Sequence, residues 1–220
     1  VMAEDENLAD SHMSTVNVGK APKEEKLICD KFITTSVDEN GVCDGIEFNN
    51  EDKFNFAFDV VDEIGRNYPD KLAMLHIAND MTERRFTFKE IKEYSSQAAN
   101  YFKSLGIKKG DRVLLVLKRH YQFWFSMVAL HKIGAVAIPA TNQLKEHDYE
   151  YRFNTAGVKA IVCVDDDYVL EQTEAALAKC PDVKIKVLVG AERDGWRNFN
   201  EEYTLFSSHF ERTDDSPCGD

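Results

Sequence analysis

From residue 112 onward, short runs of β-branched residues and leucine take turns with segments of helical period. Arg112–Leu117 is a continuous Val/Leu run behind a single Arg, the mark of a strand covered on both faces. Phe123–Ile133 has helical period and Gly134 ends it; Ala135–Pro139 reads as a short strand. Glu146–Thr155 is then a helix, Lys159–Val164 a strand, and Tyr168–Lys179 a helix that stops before Pro181. Lys184–Val189 is a further strand and Phe199–Phe206 a last, shorter helix. Parallel neighbours need a long crossover, and the helices supply it. The pattern predicts an α/β fold with a mostly parallel, doubly wound sheet and helices on both faces.

The preceding stretch is organised differently. Phe56, Val60, Val61, Ile64 and Tyr68 fall at helical spacing, and Pro69 stops that helix. Leu72–Ala78 and Arg85–Phe88 read as two strands of a hairpin around Asn79-Asp80. After Thr87, the residues Phe88, Ile91, Tyr94, Ala98, Tyr101, Phe102 and Leu105 recur every three or four positions, and Gly106 supplies the stop.

Charge divides the chain. Its 220 residues carry 39 acidic and 27 basic side chains, a net −12. Residues 1–52 hold thirteen of the acids and four lysines, a net −9, so the body is nearly balanced. The net acidity argues against the basic stripe of a nucleic-acid surface and against docking on an anionic membrane. Ser11-His12-Met13 resembles a cloning scar, so residues 1–12 are read as a tag and 13–52 as an acidic, extended arm. Asn40-Gly41 within the arm suggests a hairpin with a type I′ turn. Residues 53–210 are the α/β body, and the polar residues 211–220 a linker.

The five cysteines are odd in number and show no C-x-x-C spacing, which fits reduced, intracellular thiols. No apolar run is long enough to span a bilayer. The acidic start is unlike a signal or transit peptide, so the expected location is cytoplasmic.

Unaided chemistry is sparse. The sequence contains no G-x-G-x-x-G, no G-x-x-x-x-G-K-[ST], no H-E-x-x-H and no G-x-S-x-G. Gly106 and Gly110 read as a helix cap and a tight turn. Asp165-Asp166-Asp167 after a strand admits Mg²⁺ binding, but a helix cap explains it more simply. Cys163 in a strand reads as inert packing. Tyr121, Phe123, Trp124 and Phe125 form either a core face or one wall of an apolar groove, with the core favoured.

Three segments, in order, resemble motifs of the adenylate-forming enzymes, the group that contains acyl-CoA synthetases. Phe86-Thr87-Phe88-Lys89-Glu90-Ile91 is similar to the family's aromatic/Leu-Thr-Tyr-x-Glu-Leu. Gly106–Val113 is similar to its Gly-x-x-x-Gly-Asp-Arg-Val turn. Leu130–Pro139 is similar to its Leu-x-x-Gly-Ala-x-x-x-Pro. Phe54–Ala57 with Asp59–Asp62, Pro139–Leu144 and Asp194-Gly195-Trp196 further resemble medium-chain acyl-CoA synthetases. The chain departs from those enzymes at Lys118 and Tyr121, where they carry proline, and at Gln122, where they carry Glu.

The resemblance, over about residues 54–210, implies a ligase that joins a carboxylic acid to ATP with Mg²⁺ and passes the acyl group to coenzyme A. It implies that Thr141, Asn142 and Gln143, in the loop after the third motif, approach coenzyme A. It also implies that the phosphate loop begins a few residues past Asp220. No catalytic residue and no metal ligand is therefore expected here. The chain alone is expected to be inactive, and to self-associate through an exposed sheet edge. The alternatives are a non-catalytic binding or regulatory module, or a ligase with another acyl acceptor.

Overall fold

The computed structural model describes residues 28–213 and residue 216. Residues 1–12, residues 13–27 of the arm, most of the linker and Cys218 lie outside the described residues. The described residues form two compact units that divide between Glu47 and Phe48.

In the first unit a 3₁₀ turn, Ile28–Lys31, precedes strands β1 (Ile33–Val37) and β2 (Cys43–Phe48), which form a two-stranded sheet. The expected hairpin is present, but its turn is not type I′. That turn needs positive φ at both central residues, and only Gly41 has it, at 76°. The Gly41 N–H donates to Asp38 O at 3.0 Å and the Asp38 N–H to Val42 O at 2.8 Å. Asp38 Oδ1 accepts the N–H groups of Asn40 and Val42, each at 2.9 Å, and so favours a three-residue loop.

The second unit opens with Ala57–Asp62 wound as a π-helix, which tightens into helix α1 (Glu63–Asn67). The wide turn shifts the buried face. Ala57, Phe58, Val61, Asp62 and Gly65 point inward, whereas Phe56 and Tyr68, expected inside, are exposed. Gly65 is needed for close approach: a Cβ there would fall 2.8 Å from the Phe88 carbonyl oxygen.

Strands β3 (Leu72–Ile77) and β4 (Glu83–Thr87) pair antiparallel. Thr87 ends β4 and caps helix α2 (Phe88–Ser104). Its hydroxyl accepts the Glu90 N–H while the Glu90 carboxylate accepts the Thr87 N–H, a complete capping box.

The main sheet comprises β5 (Arg112–Val116), β6 (Val136–Pro139), β7 (Val158–Val164), β8 (Ile185–Val189) and β9 (Arg197–Asn198). Its spatial order is β6-β5-β7-β8-β9, and every pair is parallel. Between the strands run α3 (Gln122–Ile133), α4 (Glu146–Ala156) and α5 (Asp167–Leu177); α6 (Phe199–Glu202) follows β9. Helix α2 packs on α3, and α4 on α5. Right-handed crossovers put these two pairs on opposite faces. The doubly wound α/β layout is therefore as expected, with the two-residue β9 as an addition.

β9 exists because Trp196 is anchored. Its indole N–H donates to Glu174 at 3.1 Å, a carboxylate that also accepts from Arg193. Past α6, residues 204–209 run along α2: Gln97 donates to the Thr204 and Phe206 carbonyls, and Asn100 to those of Ser207 and His209. Among the described residues no helix is long and apolar enough to cross a membrane.

Candidate functional site

A strand order of this kind opens a crevice where the chain, having started at β5, turns to β6 on one side and to β7 on the other. Ligands of open α/β sheets bind beyond the strands' C-terminal ends at that point. Here a cleft of about 1000 Å³ lies beyond β5, β6 and β8, with the β3–β4 hairpin as its other wall.

The segment after β5 contributes most. Lys118 has φ +47°, an unusual conformation for a residue with a long side chain. Its ammonium lies 2.5 Å from Asp166 Oδ2 and so bridges the ends of β5 and β7. Asp166 is already committed: its Oδ1 accepts the Val169 N–H and caps α5, as the simpler sequence reading expects. The Lys118 hydrogen bond, followed by that of Val169, holds the Asp166 carboxyl below its ordinary range. Asp165 in turn accepts the Ala191 N–H, and a Cβ on Gly190 would fall 2.2 Å from Asp165 Cβ. Among the described residues no three His, Cys, Asp or Glu side chains are grouped to hold a metal.

Arg84, reaching over from β4, donates to the Tyr121 hydroxyl at 2.7 Å, with its guanidinium 5.2 Å from that ring's centre. His76 meets Tyr121 edge-on at 5.3 Å. The His120 ring lies within hydrogen-bond distance of Leu117 O, and burial lowers its affinity for a proton despite that contact. Gln122, buried at the start of α3, donates to Asn200 at 2.8 Å, while its carbonyl oxygen has no partner.

The aromatic cluster divides between its two readings. Phe125 is fully buried against Phe86 and Tyr94, Tyr121 and Phe123 line the cleft, and Trp124 is exposed. Cys163 is buried in β7, and burial pushes its thiol far above the ordinary range. Thr141 and Asn142 line the cleft. Gln143 stands next to them, exposed, with its N–H on Thr141 Oγ1 at 3.3 Å.

Sequence reasoning missed the cleft's cations. Lys118-Arg119 directly after a buried strand was the available local signal. The approach of Arg84 is a long-range contact with no local signature.

The motif segments prove to be fasteners. Asp111 Oδ2 accepts from Lys159 at 2.6 Å and from the Lys108 N–H at 2.7 Å. Arg112 donates to the carbonyls of Ala156 and Gly157, at 2.6 and 2.7 Å, and closes the C-terminus of α4.

Residues 61–217 match the family model described as AMP-binding enzyme. The acyl-coenzyme A synthetase ACSM5, mitochondrial, of Rattus norvegicus is 37% identical over 155 residues, which is 67% of this chain and 26% of that protein. The acyl-coenzyme A synthetase ACSM2A, mitochondrial, of Homo sapiens is 34% identical over 157 residues, 68% of this chain and 27% of that protein. The chain thus spans about a quarter of the length of these curated relatives. Among solved structures, the acyl-CoA synthetase of Brucella canis superposes with a TM-score of 0.65 at 21% identity, over 75% of this chain and 30% of that one. The anthranilate CoA ligase AuaEII, solved with anthranoyl-AMP, gives 0.61 at 23% identity, over 73% and 32%. These two establish likeness of fold.

Proposed function

We propose a function from one premise: this chain belongs to the AMP-binding enzyme family. We infer that it is the N-terminal part of an AMP-forming acyl-CoA synthetase, and the match of residues 61–217 to the family model carries that inference. The complete enzyme would work in two steps. A carboxylate oxygen attacks the α-phosphorus of ATP, pyrophosphate departs, and an acyl-adenylate forms. The sulfur of coenzyme A then attacks the acyl carbon, and AMP leaves with the electron pair of the broken C–O bond. Adenylation turns a poor acyl donor into a good one, and Mg²⁺ would neutralise the phosphate charge that develops.

The residues in hand suit a supporting part. Thr141, Asn142 and Gln143 follow β6 at the strands' C-terminal ends, where open α/β sheets bind ligands, and that supports reading them as coenzyme A contacts. Hydroxyl and amide groups there can donate to and accept from a pantetheine amide. Among the described residues no group of three or more His, Cys, Asp or Glu side chains offers Mg²⁺ a site.

The test is thioester formation. The protein extended to the length of its relatives should make acyl-CoA, AMP and pyrophosphate from a carboxylic acid, ATP and coenzyme A. The 220-residue chain alone should show no carboxylate-dependent ATP–pyrophosphate exchange. Exchange by the short chain would overturn the division of labour, and no thioester from the long one would overturn the synthetase reading. An acyl acceptor other than coenzyme A would appear as adenylate formation without thioester. Location has two readings: the cysteines, without C-x-x-C spacing, fit a reducing compartment such as the cytoplasm, and the relatives' names favour the mitochondrion. Cell fractionation with an antibody to residues 54–210 decides between them.

A further inference from the structure

We propose that a second cavity, of about 360 Å³, binds a small organic carboxylate, with Lys92 and Arg66 holding its charge. The cavity lies between the π-helical turn with α1, helix α2 and residues 208–212, and it shares no lining residue with the cleft beyond the sheet. Its size falls at the lower end of the range for small-molecule sites, about 300–1,000 Å³. This carboxylate is separate from the acid that the synthetase reading activates, and its site stands whether or not that reading does.

Most charged groups around the cavity are already spent. Arg212 donates to Asp59 and to the Lys53 carbonyl. Glu211 lies 3.1 Å from the His209 ring. On the floor, Asp62 lies 2.9 Å from Lys132, while the Ser96 hydroxyl accepts from Lys132 and donates to the Lys92 carbonyl. Two cations remain. Lys92 lines the cavity, and its ammonium makes no ion pair among the described residues. Arg66 makes two long contacts, each of 3.4 Å, to Glu63 and to the Phe58 carbonyl.

Charge is unbalanced at the floor. Lys132, Lys92 and Arg66 all attract the single Asp62 carboxylate, while Lys92 and Arg66 repel the Lys132 ammonium. An anion between Lys92 and Arg66 offsets that repulsion without entering the buried pair. Two features favour a carboxylate over a spherical ion. Its planar oxygens match the guanidinium fork of Arg66. Phe58 and Phe210, stacked with ring centres 6.3 Å apart, give the wall an apolar stretch for a carbon body. The walls are set in advance, which lowers the cost of binding. A Cβ on Gly65 would fall 3.2 Å from Lys92 Cβ, so the stem of Lys92 is packed against α1. Asn100 fixes the opposite wall by donating to the Ser207 and His209 carbonyls at 2.8 and 2.9 Å.

Calorimetric titration of the whole chain at constant ionic strength tests this with three probes. Benzoate carries ring and charge, benzamide keeps the ring alone, and inorganic phosphate keeps the charge alone. Benzoate should bind at least about tenfold more tightly than either of the others. Lys92→Met, which keeps its stem against Gly65, and Arg66→Met should each weaken benzoate at least about fivefold. Glu211→Gln, which removes an exposed acid from the wall, should tighten it about twofold. Lys118→Met, in the other cleft, should leave it unchanged. Hydrogen exchange at residues 208–212 should slow when benzoate is added. The site is overturned if benzoate does not bind at millimolar concentration, or if benzamide or phosphate binds as well as benzoate. It is equally overturned if Lys118→Met weakens benzoate and the Lys92 and Arg66 variants do not, which would place the anion in the cleft. None of these failures bears on thioester formation, which tests the synthetase reading separately. Far-UV circular dichroism checks the fold of each variant. Should a cation variant not fold, Glu211→Gln decides, since unchanged or weaker binding there excludes the cavity.

Discussion

Lys132 and Asp62 meet 2.9 Å apart, with side chains only 0% and 3% exposed. The ammonium also donates to Ser96 Oγ at 2.9 Å and to Lys92 O at 3.3 Å. The pair joins α3 to the π-helical turn, beneath a second cavity of about 360 Å³ that Asp62 helps to line. Burial pushes the Asp62 carboxyl up and the Lys132 ammonium down, and in each case it outweighs their mutual attraction. Desolvation therefore exceeds pairing, the usual balance for a buried ion pair.

Lys132→Met should accordingly destabilise the fold by about 3–5 kcal/mol, because it strands a buried carboxylate. Lys132→Met combined with Asp62→Leu should recover most of that loss and end within about 1 kcal/mol of the parent. Urea denaturation of the three proteins measures both values. A double variant as weak as the single one would mean that the pair stabilises beyond its desolvation.

Asp111 predicts a pH dependence. Burial alone would raise its carboxyl, but Lys159, the Lys108 N–H and Arg112 together hold it below its ordinary value. A depressed acid contributes stability above the unfolded pKa, near 3.9, and loses it as pH falls through the folded value. Asp111→Asn should be less stable than the parent at pH 7 by about 0.5–1 kcal/mol, since both partners are partly exposed. The difference should shrink steadily below about pH 4. Urea midpoints at pH 7, 5, 4 and 3 trace it. A gap that stays constant with pH would rule out the charge as its origin.

Thr87, Glu90 and Asp111 show why so much of the fold was legible. Thr87 with Glu90, and Asp111 with the Lys108 N–H, each close a turn within three residues, so a short motif encodes them. Buried strands such as β7 also announce themselves, because sealing both faces demands an unbroken apolar run. The N-terminal helix misled, since its π turn rotates the buried face by one residue and a fixed period cannot register that. The cleft was only half legible. Thr141 and Asn142 follow from their place after β6, whereas the Arg84–Tyr121 contact joins residues 37 apart. That contact depends on how the hairpin docks, which no local pattern records.

The loop after β6 yields a kinetic prediction. Thr141 and Asn142 face the cleft and Gln143 stands exposed beside it. If this loop meets coenzyme A, Asn142→Ala and Gln143→Ala in the extended enzyme each remove about one hydrogen bond, roughly 0.5–1.5 kcal/mol. KM for coenzyme A should rise about 3- to 10-fold. KM for ATP and the rate of ATP–pyrophosphate exchange should not change. An equal effect on ATP and coenzyme A would remove the loop from the coenzyme site.

The edge of the main sheet leads to a prediction about assembly. Among the described residues strand β6 pairs only with β5, so its outer backbone groups have no strand partner there. Val136 on that strand is 47% exposed, and Trp124 on α3, which leads into it, is 54% exposed. An open edge flanked by apolar side chains is a template for pairing with another chain. The isolated chain should therefore sediment above its monomer mass of 25.1 kDa at high concentration. Val136→Lys places a charge on the edge and should shift the equilibrium toward monomer, while Leu205→Lys, at an exposed site elsewhere, should not. A clean monomer for the parent chain at every concentration would show that the short β6 edge is already protected, and would remove self-association from the account of this chain.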